Sequence, residues 1–130
     1  MVSKAMRKEE HQAAVALIQW WAFESRKRNI PETLLFAVPN GSARHIVVAM
    51  SLKAEGVRPG VSDYFLAVPR GGAHGLFIEL KKGGIGIKKG RPTPEQTAFG
   101  EAVENHGYAF TFAYGALEAE NVIEGYLDRK

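Results

Sequence analysis

The chain has 130 residues, 45% of them apolar and 24% charged, with 17 Lys and Arg against 14 Asp and Glu and no cysteine. That composition belongs to an ordinary globular protein, and the length is enough to bury one core, so residues 1–130 are expected to form a single domain. Without cysteine there are no disulfides or thiolate zinc sites. No apolar run approaches the roughly 20 residues a membrane span needs, and the charged stretch Met1 to Glu10 lacks the apolar core of a secretory signal, so the cytoplasm is the expected location.

A net charge of +3 hides an uneven distribution. Arg44 to Arg91 holds nine Lys and Arg against Glu55, Asp63 and Glu79, whereas Pro92 to Lys130 holds seven acids against two bases. A cationic half suits a phosphodiester backbone better than a small neutral substrate. Solvated charge with accidental clustering explains the same count.

In chain order, Ala14, Leu17, Ile18, Trp21 and Ala22 recur at spacings of three and four, which predicts a helix from Arg7 to about Lys27 closed by Arg26, Lys27 and Arg28. Leu34 to Val38 reads as a short strand ended by the turn Pro39-Asn40-Gly41. Ser42 then caps a second helix through Ile46, Val47, Ala49, Met50 and Leu52 to a stop at Gly56. Val61 to Lys81 reads as an antiparallel hairpin whose apolar runs are joined by Ala67 to His74. Lys82 to Arg91 has four glycines and four bases in ten residues, a mobile cationic loop. Thr93 is an N-cap, Pro94 a first helical residue, and Gln96 completes a capping box for a third helix ending at His106-Gly107. Tyr108 to Tyr114 is a last strand and Ala116 to Leu127 a closing amphipathic helix. The expected fold is α/β, a four-stranded mixed sheet flanked by helices.

The charges in the hairpin carry the chemistry. Period 2 puts Glu79 and Lys81 on one face of the second strand and Ile78 and Leu80 on the other. With Asp63 at the start of the partner strand, two carboxylates can hold a hard divalent cation beside a lysine that serves as base or charge stabiliser. A structural reading stands beside this one: an Asp turn and a surface Glu-Lys pair on an edge strand, where charge opposes aggregation. Likewise Glu9 and Glu10 complement a helix dipole, and capping alone accounts for Gln96.

Asp63 followed by Glu79-Leu80-Lys81 resembles the acidic signature of the PD-(D/E)XK nucleases. Pro39-Asn40-Gly41 and the run from Leu52 to Asp63 before it, with Pro92-Thr93-Pro94-Glu95-Gln96 after it, resemble more narrowly a stand-alone virus-type replication-repair nuclease domain, the VRR-NUC family, from about Glu10 to Leu127. Ser62 stands where that family often has proline. The resemblance implies the restriction-endonuclease-like αβββαβ core and Mg²⁺- or Mn²⁺-dependent hydrolysis of DNA. It implies metal ligands at Asp63, Glu79, the main-chain carbonyl of Leu80 and Glu10 rather than Glu9, with Lys81 catalytic, Gln96 supporting it, and Asn40 and Arg44 touching DNA. Lys82, Lys88, Lys89 and Arg91 follow the Glu-x-Lys strand directly, which favours the phosphate backbone over the other reading of the loop, a linker whose lysines merely keep it solvated.

Small stand-alone members resemble phage-encoded dimeric nucleases that cut branched DNA such as four-way (Holliday) junctions, and a two-fold homodimer supplies two sites for two symmetric cuts. Trp20, Trp21, Phe23 and Tyr126 are candidate interface residues that the sequence does not separate from core. Two alternatives stay open: a non-catalytic DNA-binding module of the same fold, and a nuclease subunit acting on flaps or linear DNA with a partner.

Overall fold

The computed structural model describes the backbone of residues 4–39 and 46–130, with the side chains of 8–39 and 50–130. Helices α1 (Lys4–Lys27), α2 (Ile46–Ala54), α3 (Pro94–Asn105) and α4 (Ala116–Leu127) alternate with strands β1 (Leu35–Ala37), β2 (Tyr64–Leu66), β3 (Leu76–Lys81) and β4 (Ala109–Tyr114). The sheet order is β1-β2-β3-β4, antiparallel across the first two pairs and parallel between β3 and β4. This is the mixed four-stranded α/β arrangement expected, with shorter strands: Leu34 belongs to a 3₁₀ turn over Glu32–Leu34, and β2 keeps only three residues. The hairpin reverses at Gly71-Gly72, where Arg70 and Ala73 exchange both main-chain hydrogen bonds, at 3.1 and 2.8 Å. The proposed cap Ser42 lies outside the described residues.

Strand alternation divides the sheet into two unlike faces. On one, Leu35, Tyr64, Leu66, Leu76, Ile78, Leu80 and Ala113 are buried beneath Leu17 and Trp21 of α1 and Ala119, Ile123, Tyr126 and Leu127 of α4. Each fully buried Leu or Ile of this layer contributes about 1.5–3 kcal/mol. Exposed ion pairs are worth at most about 1 kcal/mol, so apolar burial drives the association of α1 with α4. The bond from Arg28 to Asp128 (2.9 Å), with Glu24 also holding Arg28 at 2.6 Å, pins the end of α1 against the end of α4. Trp21 and Tyr126 therefore belong to the core rather than to a surface, while Phe23 is 74% exposed.

The opposite face carries a row of rings. Phe36 faces Phe65, Phe65 faces Phe77, and Phe77 lies beside Phe110. Helix α3 covers part of it. Phe99 meets Phe77 edge to face at 5.2 Å, and Gly100 lets the helix close onto Phe110, whose ring would lie 2.5 Å from any Cβ at that position. The expected capping box starts this helix: Thr93 Oγ1 accepts from Gln96 N–H (3.2 Å), and Gln96 Oε1 accepts from Thr93 N–H (3.0 Å).

Two buried hydroxyls should respond oppositely to removal. Tyr126 donates to the Val68 carbonyl at 2.6 Å, so Tyr126→Phe strands a buried acceptor and is expected to cost about 1–3 kcal/mol. Ser62 Oγ is fully buried with no hydrogen-bond partner among the described residues, so Ser62→Ala is expected to be neutral or stabilising by about 1 kcal/mol. Urea unfolding midpoints of the two variants check both signs.

Candidate active site

The β2–β3 register fixes where the acids meet. Tyr64 faces Ile78, so one step outward Asp63 faces Glu79 on the ring-bearing side of the sheet. Residues directly opposite on antiparallel strands have Cβ atoms about 4.5–5.5 Å apart, and like charges there repel. Asp63 is held from two directions. Its carbonyl accepts from Val38 N–H (2.7 Å), and its Oδ2 accepts from Leu80 N–H (2.8 Å), taking the place of a main-chain partner where the β2 ladder has ended.

Glu79 is only 3% exposed, in the interior of the sheet between β2 and β4. An edge strand guarded by surface charge does not describe it. Burial, a hydrogen bond with Asp63 and the Asp63 charge push the Glu79 carboxyl up to about 9, with Lys81 pulling the other way. Glu79 therefore keeps its proton at neutral pH, hydrogen-bonded to Asp63.

Lys81 follows two residues along, on the same face and half-buried. The third acid comes from α1. Glu10 sits near enough to feel both Asp63 and Lys81, and its carboxyl is raised, by burial first and the Asp63 charge second. Glu10, Asp63, Glu79, Lys81, Arg91 and Gln96 all line one cavity of about 520 Å³. Glu9 lines a neighbouring cavity with Lys82, so of the two glutamates Glu10 is the one turned to the acids.

Gln96 joins α3 to the site while its Oε1 is committed to the cap. Lys88 and Lys89 lie outside the cavity on an exposed loop that is tied back by a Gly90 N–H bond to the Lys82 carbonyl (3.1 Å). Asn40 and Arg44 lie outside the described residues.

Among the described residues no group of three or more His, Cys, Asp and Glu side chains is gathered so as to hold an ion by itself. Mg²⁺ needs no such cage. It is commonly bound through one or two carboxylates, keeping water and substrate phosphate oxygens as its other ligands. The facing Asp63 and Glu79 fit that donor set.

Two contributors carry no signal that periodicity or residue type would single out. Gly60 (φ 86°) packs so tightly on the first turn of α3 that a Cβ would run into the Glu95 carbonyl, and this contact sets the segment leading to Asp63 against the helix bearing Gln96. Glu95 is a fourth acid on the cavity wall.

No protein-family model and no curated protein matches the chain. Among solved structures, one described as a "VRR_NUC domain protein" is similar over 92% of this chain and 88% of its own, with 26% identity and a TM-score of 0.74.

The raised Glu79 carboxyl sets the sign of a pH effect. An unfolded glutamate ionises near 4.5 and the folded one near 9, so between those values the folded state keeps a proton that the unfolded state has lost. Stability of chelator-treated protein should therefore fall as pH rises from about 4.5 to about 9. Glu79→Gln, which stays neutral, is expected to flatten that slope in chemical denaturation; an unchanged slope would assign the titration elsewhere.

Proposed function

The chain is a VRR-NUC domain, a nuclease-type fold, and from that premise we propose that it is a Mg²⁺- or Mn²⁺-dependent endonuclease hydrolysing phosphodiester bonds of branched DNA, four-way junctions among them, as a homodimer. One observation carries the reading: Asp63 stands opposite Glu79, with Lys81 on the same face of one strand, around a single cavity. Phosphodiester hydrolysis needs an electrophilic aid for the phosphate, a group that handles the proton of water, and a cationic surface to hold the backbone. Those residue types are present in one place.

Asp63 and Glu79 would hold the divalent cation, with the Leu80 carbonyl as a main-chain donor and Glu10 on the adjoining wall. When bound, such a cation makes water a stronger nucleophile at neutral pH and offsets charge on the phosphoryl oxygens. The protein's own groups do the rest. Burial of Glu79 removes water that would compete for its oxygens, and the Leu80 N–H fixes one oxygen of Asp63, a residue on the cavity wall. Lys81 would orient the attacking water or take its proton, and would offset the charge that develops on the phosphorane oxygens. The Gln96 amide NH₂, which the cap does not use, can donate beside it.

Lys88 and Lys89 leave β3 only a few residues after Lys81 and bring charge to the flanking phosphates. No helix among the described residues is long and apolar enough to cross a membrane. A two-fold dimer suits a four-way junction because two symmetric cuts need two sites.

Digestion of four-way, flap, nicked and linear DNA with added Mg²⁺ or Mn²⁺ tests the reading, beside a mass measurement in solution. Cleavage by the pure protein removes the binding-module and obligate-partner alternatives. Asp63→Ala, Glu79→Ala and Lys81→Ala should each retain the fold and lower the rate by about 10²–10⁴-fold; a variant cutting at the wild-type rate loses its assigned role. Lys88→Ala with Lys89→Ala should weaken binding and lower the slope of log affinity against log salt by about one for each phosphate the loop no longer neutralises. An unchanged slope takes the loop out of the interface.

A further inference from the structure

Strands β3 and β4 run parallel and end together, with Lys81 beside Tyr114. Past that end the chain reverses twice, through the 82–91 loop and through Gly115 into α4. Between the two reversals lies a concavity of about 460 Å³ lined by Ile85, Tyr114, Ala116, Leu117, Glu118 and Asn121. Ile85 is fully exposed and Leu117 is 70% exposed, so two large aliphatic side chains stand in water around a hollow rather than on a convex surface. Such an apolar concavity with a few polar groups on its rim is where a ligand is taken up.

The Tyr114 ring identifies the ligand. It is half-buried, and the Lys89 ammonium lies over it at 4.9 Å from the centroid. The face that attracts an ammonium is the π face, which is also the surface on which a nucleobase stacks.

Resting on the nuclease reading above, we infer that this concavity is a second binding site that takes one unpaired nucleobase of the DNA, stacked on Tyr114 and flanked by Ile85 and Leu117, at the strand ends where Tyr114 lies beside Lys81. A base is flat, apolar on its faces and polar at its edge. The Asn121 amide on the rim offers both donors and an acceptor to that edge. Glu118 repels phosphate on the α4 side, and its Oε1 accepts from Tyr114 N–H at 3.3 Å. The sugar-phosphate backbone therefore passes on the other rim, along Lys82, Lys88 and Lys89. Lys89, displaced from the ring by the base, is freed for a phosphate. A base paired within a duplex has both faces covered and cannot enter, so the site favours DNA with an unpaired base next to the cut.

A short duplex with one bulged 2-aminopurine, its abasic counterpart and a fully paired duplex test this in chelator, where nothing is cut. Wild-type protein should quench the 2-aminopurine and bind the bulged duplex about tenfold more tightly than the abasic one. Tyr114→Leu, which keeps apolar volume and loses the π face, should lose both the quenching and the preference while melting normally; Tyr114→Phe should keep both. Equal affinity of the wild type for base and abasic site, or persistent quenching by Tyr114→Leu, overturns the inference. So does a lower solution mass of Leu117→Ser, which would assign the concavity to a contact between two copies. Asp63-dependent cleavage with metal is read separately: its absence removes the nuclease reading, whereas loss of base preference with that cleavage intact removes only the nucleobase site.

Discussion

Two carboxyl groups face each other across neighbouring strands, Glu79 almost out of reach of water and Asp63 half-buried, and the rest of the site is arranged around that repulsion. Left alone, opposed acids at this distance destabilise a sheet, and a buried carboxylate resists ionisation. Glu79 meets both penalties by holding a proton far above the usual carboxylate range. Asp63 is kept in place by the Leu80 N–H, a donor that the end of the β2 ladder would otherwise leave without a partner. Shortening β2 to three residues is thus what makes room for a side chain in the hydrogen-bonding pattern of β3.

Holding an unfavourable pair requires stability from elsewhere, and the sheet supplies it on its other face. Leu66, Ile78 and Ala113 are sealed under α1 and α4 with essentially no exposure, so the strands carrying the acids cannot drift apart without opening the main core. The ring-bearing face is covered only in part. Helix α3 closes tightly over Phe77 and Phe110 through Phe99 and Gly100, and its first turn stops at the acids, where the capping box and the close approach of Gly60 to Glu95 set its height. The site is therefore a gap left at the end of a packed layer, bounded by the starts of two helices and the ends of two strands.

That location ties the cationic loop to the acids by covalent connection. Residues 82–91 leave β3 directly after Lys81 and lead into α3, so Gly90 and Arg91 return to the cavity wall without a separate element. In the function proposed, the same loop also borders the hollow beside Tyr114, and one strand end serves both the phosphate and the base of a neighbouring nucleotide.

Periodicity and punctuation in the sequence determined the order of elements, because the signals are local: the helical stripe through Leu17 and Trp21, the Thr93-Pro94-Glu95-Gln96 start, the hairpin with its glycine turn. The spacing of Asp63, Glu79 and Lys81 likewise determined which groups share a strand face, since side chains alternate with a fixed period of two. Only the tertiary structure decided whether those groups meet. Register across β2 and β3 puts Asp63 opposite Glu79, the position of β3 inside the sheet turns Glu79 from a surface charge into a buried acid, and the approach of α1 brings Glu10, not Glu9, to the wall of their cavity. Burial of Trp21 and Tyr126 and exposure of Phe23 were decided in the same way, because a side chain's surroundings depend on elements distant in the chain, and no local pattern records which of them will pack against it.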